Sequence, residues 1–189
     1  MKKLIFSTLA VASFIGLVSF KALINPKAPV TYAVQTDKSR IDWVGSKKND
    51  FHTGYFNLKS GSVQVEAGKL VGGEFVIDLA NVKVTDGAGA KLEGHLKAAD
   101  FFDVAKFSEA TYKITSVNYT SEGNATINGT LNLKGAAVPV SFNASVRMAD
   151  EKGFFGEAFL SLDRTLFGIN YGVGNVAKDV QLAIHLFAK

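Results

Sequence analysis

The residues best suited to chemistry in this sequence lie close together between positions 91 and 117. His95 and Asp100 are five residues apart, and a histidine with a carboxylate can act as an acid–base pair toward a substrate. Phe101, Phe102 and Asp103 follow directly. Two interpretations stay open. The aromatic rings could plug one end of an apolar interior while His95 caps a turn, or the same side chains could contact a ligand directly.

Arg164 is the second candidate, because it lies in an otherwise mostly apolar stretch, DRTLFGINYG, at residues 163–172. A guanidinium among apolar neighbours usually has a carboxylate partner. We therefore predict a structural ion pair to Asp103 or Asp163. The alternative is a contact between Arg164 and the head group of a ligand.

Motifs for metal binding, nucleophilic catalysis and phosphate binding are absent from the sequence. It has no His-x-x-x-His pair, no Gly-x-Ser-x-Gly elbow and no Walker loop. Residues 172–177 match a dinucleotide fingerprint by letter but lack the strand before it and the helix after it. There is no cysteine, which excludes disulfides and thiolate chemistry. We therefore expect no metal and no cofactor other than a bound ligand.

The candidate residues must be positioned by β-strands, because apolar and polar residues alternate along most of the chain from residue 32 onward. Short turn sequences separate the strands and predict antiparallel hairpins. We predict an all-β fold of about eight strands, with a short helical insertion near residues 88–98. The alternation assigns six large side chains to inward faces: Trp43, Phe75, Ile77, Ile114, Leu131 and Phe142.

Periodicity alone does not distinguish a β-sandwich from a closed barrel. Long side chains on the inward faces, and one large insertion that could close an end, favour the barrel. A barrel of about eight strands is just wide enough to hold one small or slender ligand.

The N-terminus predicts export from the cytoplasm. Lys2 and Lys3 precede an uncharged apolar run at residues 4–20, which is typical of a secretory signal. We divide the chain into a signal peptide (1–22), a linker (23–30) and one domain (31–189). Loss of the two lysines leaves 19 basic against 17 acidic side chains, so nucleic acid is not an expected partner.

Several motifs resemble those of the YceI-like family of periplasmic lipid-binding proteins, and they occur in the family's order over nearly the whole exported chain. Residues 92–97 read LEGHLK and residues 100–103 read DFFD; residues 128–140 carry NGTLNLKG and a later Pro-Val pair; residues 163–169 carry DRT and FGI. Ser108 replaces a proline of the family pattern, and Asn170 replaces a residue that is basic in many relatives.

The resemblance implies a lipocalin-like extended antiparallel β-barrel in the periplasm, or secreted, that holds a polyisoprenoid, an isoprenoid quinone or a fatty-acid-like lipid. It implies no catalytic residues. A transient membrane contact and a homodimer are compatible with such a function. We expect ligand contacts from the six inward residues together with five others: His95, Asp100, Phe101, Phe102 and Arg164.

The leading hypothesis is therefore a non-enzymatic lipid carrier. One alternative is an enzyme that acts on a lipid inside the barrel, with His95 and Asp100 as acid and base. The other is a structural or protein-interaction β-sandwich. An elongated apolar cavity would favour the carrier, whereas a core packed solid with side chains would favour the sandwich.

Overall fold

The structure is a computed structural model that describes residues 28–189. The predicted signal peptide and most of the predicted linker lie outside the described residues. Val30, which we assigned to the linker, already belongs to the first strand. Within residues 28–189, no helix has the length and apolar character needed to cross a membrane.

The described chain contains ten strands, one α-helix and one 3₁₀ turn. In chain order these are β1 (Val30–Ala33), β2 (Arg40–Lys47), β3 (Asp50–Glu66), β4 (Lys69–Asp78), β5 (Lys83–Val84), α1 (Gly89–Lys97), β6 (Glu109–Ser121), β7 (Asn124–Leu133), β8 (Ala136–Asp150), β9 (Gly153–Asp163), η1 (Arg164–Phe167) and β10 (Val176–Ala188). The all-β class and the short helical insertion are confirmed.

Eight of these strands form a closed antiparallel barrel in the order β3-β2-β10-β9-β8-β7-β6-β4, with β4 pairing back onto β3. Closure depends on the length of β3. Its first half pairs with β2 and its second half with β4. The register shifts between Leu58 and Ser60, so a bulge lies where the strand changes partner. The predicted barrel is confirmed, and the alternative sandwich is wrong.

The two remaining strands extend the barrel at its ends. β1 pairs with the last residues of β3, and β5 pairs with Gly54 and Tyr55 near the beginning of β3.

Tight turns close the hairpins. At the β7–β8 turn, Lys134 and Gly135 both have positive φ, at 50° and 81°, which is the conformation a two-residue hairpin turn requires.

Helix α1 lies between β5 and β6, and contacts with neighbouring strands hold it in place. The Asp86 carboxylate accepts hydrogen bonds from the backbone N–H groups of Thr53 and Ala88, which ties the start of the helix to β3. Glu93 accepts a hydrogen bond from the backbone N–H of Val84 in β5. Leu96 is buried. The helix therefore packs over one end of the barrel, which we call the mouth.

The apolar core lies inside the barrel and beneath α1. The six side chains predicted to face inward all line the interior, as the period-two alternation requires. The ring of Trp43 lies across Gly54, where a Cβ atom would come within 2.4 Å of the indole. A glycine is therefore required at that position for the only tryptophan of the sequence to fit.

Candidate ligand-binding site

The barrel interior contains two adjoining cavities. The mouth cavity, beneath α1, has a volume of about 340 Å³. The inner cavity lies deeper in the barrel and has a volume of about 120 Å³. Five side chains line both cavities, so the two are neighbours along the barrel axis: Ile41, Ile77, Leu131, Leu162 and Leu182.

The inner cavity has an almost entirely apolar wall. Phe75, Ile114 and Phe142 lie here, where the alternation predicted them. The Tyr112 hydroxyl donates a hydrogen bond to the carbonyl oxygen of Val140 at 3.0 Å, and burial raises its pKa to about 12, so it stays neutral. Glu157 borders the cavity, but its carboxylate pairs with Arg147 at 3.0 Å. The inner cavity therefore suits a hydrocarbon chain.

The mouth cavity is covered by residues 89–108, which we call the covering segment. On α1, Leu92 and Leu96 are four residues apart, so they share the face of the helix that lines the cavity. Phe102 is 8% exposed and meets Phe56 of β3 edge to face, at 5.7 Å between centroids. The cover is thus continuous with the apolar core.

Phe101 and Phe102 do not point to opposite sides, as they would in an extended segment. Residues 99–102 form a turn, and both rings line the mouth cavity with their centroids 5.0 Å apart. An extended segment would have allowed only one of the two rings to face the interior, whereas the turn allows both. The turn forms because backbone N–H groups fold back onto the helix end, including Phe102 N–H to Leu96 O at 3.1 Å.

The predicted acid–base pair is formed but is not enclosed in the site. His95 Nε2 lies 3.3 Å from Asp100 Oδ2, and His95 lines the mouth cavity. Asp100 lines neither cavity, and its side chain is 55% exposed. The same turn that brings both phenylalanines inward leaves this carboxylate outside. The geometry therefore does not favour the predicted contact between Asp100 and a ligand.

Arg164 forms no salt bridge with a carboxylate among the described residues, so the predicted ion pair is wrong, and Asp163 acts on it only through its charge. Asp163 Oδ1 accepts from Thr165 N and Oγ1, and Asp163 Oδ2 accepts from Lys178 at 2.9 Å. Asp103 instead pairs with Lys106 at 3.2 Å. These bonds hold the pKa of Asp163 at about 2, well below the ordinary value of 3.8.

Backbone carbonyl groups take the place of that carboxylate. Arg164 is 3% exposed and donates four hydrogen bonds to the loop that precedes β10 and to the start of β10. The acceptors are the carbonyl oxygens of Ile169 (2.5 Å), Tyr171 (2.8 Å), Ala177 (3.0 Å) and Val176 (3.2 Å). Gly168 ends η1 in the left-handed conformation, with φ 70°, and the loop that follows places these carbonyls around the guanidinium. Burial lowers the pKa of Arg164.

Some residues of the site carried no clear signal in the sequence. Ile169 and Tyr171 line the mouth cavity from the loop between η1 and β10. They lie in an irregular stretch, where periodicity makes no prediction. Leu92 and Leu96 could have been found from their helical spacing within the insertion. Among residues 28–189 no cluster of histidine and carboxylate side chains could hold a metal ion.

Comparisons with known proteins agree with this architecture. The family model of the YceI-like domain matches residues 32–188. A UPF0312 protein of Shewanella baltica is 26% identical over 192 residues, covering 96% of this chain and 95% of its own length.

Two solved structures have the same fold. BcnA of Burkholderia cenocepacia superposes with a TM-score of 0.72 at 22% identity, over 82% of this chain and 99% of that one. A polyisoprenoid binding domain from Saccharophagus degradans superposes with a TM-score of 0.65 at 17% identity, over 84% and 97%.

Proposed function

This chain belongs to the YceI-like domain family, and we propose that it is a non-enzymatic carrier of a long-chain lipid in the periplasm. The ligand is a polyisoprenoid or a similar amphiphile, held in the mouth and inner cavities. The observation that carries the proposal is the pair of adjoining apolar cavities inside a closed barrel.

The hydrophobic effect provides the affinity. Each methylene moved from water into the apolar interior contributes about 0.8 kcal/mol in gross transfer free energy. The cost of ordering a flexible chain offsets much of this gain, so a chain rather than a single ring is needed for tight binding. Two cavities that follow one another along the barrel axis suit a slender molecule.

The ligand class rests on the family and on a relative. The Saccharophagus degradans protein is described as a polyisoprenoid binding domain. At 17% identity the likeness concerns the fold, so a polyisoprenoid as ligand of this chain is part of the proposal.

A carrier explains the site better than an enzyme does. An acid–base pair that acted on an enclosed lipid would need both groups at the cavity wall. His95 lies there, whereas Asp100 lies outside. The cavities also support a container rather than a purely structural domain, whose interior would be filled by side chains.

The periplasmic location rests on the sequence of the N-terminus. Residues 4–20 form an uncharged apolar run after Lys2 and Lys3. N-terminal sequencing of the protein from its own host should find the mature chain beginning within residues 20–31. An intact Met1 on a membrane-bound protein would contradict the assignment.

Native mass spectrometry tests the lipid. The protein purified from its own host should carry a non-covalent adduct that organic solvent extracts and that fragments as a long-chain lipid. A folded protein that carries no lipid, and that takes up none from total host lipid extract, would contradict the proposal.

A further inference from the structure

The barrel wall between β8 and β9 is hydrogen-bonded over only part of its height. The ladder that begins at the β8–β9 turn ends at Ala144 and Ala158. Beyond that pair, residues 136–143 of β8 are paired with β7 alone, and residues 159–163 of β9 are paired with β10 alone. Pro139 lies in this part of β8 and has no backbone N–H to donate to a neighbouring strand. We call the gap between these two facing strand edges the seam.

The burial of β9 changes where the ladder ends. Phe154 and Ala158 face inward within the ladder, and they are 2% and 4% exposed. Leu160 and Leu162 face inward beside the seam, and they are only half-buried. All four side chains line the inner cavity, so the cavity alone does not account for the difference. The loss of burial follows the loss of strand pairing.

The inner cavity meets the outer surface at the end of the ladder. A groove of about 420 Å³ lies on the outer wall there, and Phe159, which is 71% exposed, forms part of it. Ala144, Glu157 and Ala158 line both this outer groove and the inner cavity. Two of these three side chains are single methyl groups, which fill little space. The cavity and the outer groove therefore lie on the two sides of the same three residues.

Another break in strand pairing, between β4 and β6, is closed by a side chain. The β4–β6 ladder covers only residues 74–78 of β4, so residues 69–73 have no strand partner in β6. The hydroxyl of Tyr119 in β6 spans that gap and accepts a hydrogen bond from Leu70 N–H at 2.7 Å. Leu70 is 5% exposed. Among the described hydrogen bonds and ion pairs, none joins residues 136–143 to residues 159–163, so the seam has no such bridge.

We propose that the seam is a second, lateral opening of the barrel, through which the hydrocarbon chain of the lipid passes between the inner cavity and the outer groove. The inference rests on the proposed function, because it assigns a path to the same ligand. Widening the seam breaks no backbone hydrogen bond, whereas parting two strands of an intact ladder breaks several. Local opening occurs most readily where few such bonds must break. The mouth opens separately, by displacement of the covering segment, so the two openings act in parallel.

The first test closes the seam with a covalent bridge. The sequence has no cysteine, so an introduced pair is the only one that can react. Continuing the register of the ladder places Ser141 opposite Ser161, and both side chains are exposed. The variant Ser141→Cys/Ser161→Cys is joined with a short bifunctional thiol reagent, whose spacer avoids the strict geometry of a disulfide. Mass spectrometry verifies the cross-link.

The control bridge uses the other side of the same strand. Ser161 is paired with Gln181 of β10 within an intact ladder, and Gln181 Nε2 donates to Ser161 Oγ at 3.2 Å. The variant Ser161→Cys/Gln181→Cys therefore carries the same reagent at the same residue without closing the seam. Circular dichroism checks that both variants fold.

The measurement is the exchange of a polyprenol, labelled with a fluorophore at its hydroxyl end, between the protein and phosphatidylcholine vesicles. Closing the seam should slow uptake and release severalfold by the same factor. The dissociation constant should stay unchanged, because an opening alters the barrier and not the free energy of the bound state. The control bridge, and both variants before cross-linking, should exchange lipid at the rate of the unmodified protein.

A second test measures access through the seam directly. Leu160→Cys places a thiol on the inward face beside the seam, and Ile127→Cys places one on the inward face of β7, which is paired on both sides. Both positions line the inner cavity. A charged methanethiosulfonate should label Leu160→Cys at least severalfold faster than Ile127→Cys. Bound polyprenol should slow the labelling of Leu160→Cys.

The outcomes separate the two proposals. If the unmodified protein takes up no polyprenol, the proposed lipid carrier fails. If it takes up polyprenol and the closed seam exchanges lipid at the unmodified rate, the carrier stands and the lateral opening is wrong. A weaker affinity with an unchanged uptake rate would make the seam a contact surface and would also overturn the opening. Equal labelling of the two cysteine variants would contradict it independently.

Discussion

The rings of His95 and Tyr171 meet edge to face, with their centroids 4.3 Å apart. His95 belongs to α1, and Tyr171 belongs to the loop that Arg164 holds before β10. This aromatic pair therefore joins the covering segment to the opposite rim of the mouth. If ligand enters on this side of the mouth, the two rings have to separate.

The first prediction concerns this contact. Tyr171→Ala removes one ring of the pair and should speed lipid release severalfold, because an aromatic pair contributes about 0.5–1.5 kcal/mol beyond its buried area. Tyr171→Phe keeps the ring and should release lipid at the rate of the unmodified protein. Off-rates measured by transfer of a fluorescent lipid to vesicles test both variants. Equal rates for the alanine and phenylalanine variants would exclude this contact as part of a gate.

The second prediction concerns Phe101 and Phe102. Replacing a phenylalanine with alanine in a rigid core costs about 3–5 kcal/mol. A cover that opens for ligand has low local stability, so the double alanine variant should lower the free energy of global unfolding by less than that while speeding release severalfold. His95→Ala should have a smaller effect. Urea unfolding of lipid-free protein is measured beside the off-rate. Strong destabilisation with an unchanged off-rate would show that the covering segment is part of the rigid core and does not control ligand release.

The third prediction concerns the wall between the two cavities. Leu131 lines both, so Leu131→Asp should abolish lipid retention, since an unpaired carboxylate in an apolar cavity is costly to bury. Thr130, the next residue of β7, lies on the outer face, and Thr130→Asp should retain lipid. The measurement is the lipid content of the folded, monodisperse fraction of each variant. Equal lipid content in both variants would refute the assignment of faces.

The fourth prediction concerns the glycine beneath Trp43. A Cβ at Gly54 would lie 1.9 Å from the carbonyl oxygen of Lys83 and 2.4 Å from the indole, so Gly54→Ala should destabilise the protein by at least about 2 kcal/mol. Gly94 of α1 has no atom within 4 Å of its hypothetical Cβ, and Gly94→Ala should stabilise the protein by roughly 0.5–1 kcal/mol. Urea unfolding measures the free energy of unfolding of both variants and of the unmodified protein. A tolerated Gly54→Ala would contradict this prediction, because both the Lys83 carbonyl and Trp43 would have to move at little cost.

The fifth prediction concerns Asp163 and pH. Its hydrogen bonds to Thr165 and Lys178 hold its folded pKa at about 2, against an ordinary value of 3.8. The ionised group therefore stabilises the fold above pH 3.8, and this contribution is lost as the pH falls towards 2. Asp163→Asn should lower the urea midpoint at neutral pH, and its difference from the unmodified protein should shrink over that range. Glu151→Gln, at an exposed turn position, is the control. A difference that does not depend on pH would contradict this role of the charge.

Much of the fold follows from local patterns in the sequence. The alternation in β7, where Ile127 and Leu131 face inward while Thr126 and Thr130 face outward, is a consequence of the pleat and can be predicted without knowing any partner strand. The same reasoning assigned six inward residues, and a stretch of helix-compatible residues without proline at residues 90–97 indicated the helical insertion.

The closure of the barrel was less accessible to sequence reasoning. It depends on β3 being long enough to pair with β2 and then with β4, across a bulge between Leu58 and Ser60. Periodicity describes a strand by its own faces and contains no information about its neighbours. Long side chains on the inward faces and the large insertion, rather than the alternation, favoured the barrel over the sandwich, and the family resemblance implied the same fold.

The candidate site shows the same division between features that follow from local sequence and features that depend on the folded chain. The sequence alone indicated residues that line the mouth cavity, including the aromatic residues of the covering segment and Arg164. The partners of Arg164 were decided by the folded chain, because they are backbone carbonyls, which every residue carries and no residue pattern marks. The outward position of Asp100 is likewise a product of packing. Hydrogen-bond satisfaction and burial depend on distances between residues far apart in the chain, and these exist only once the chain has folded.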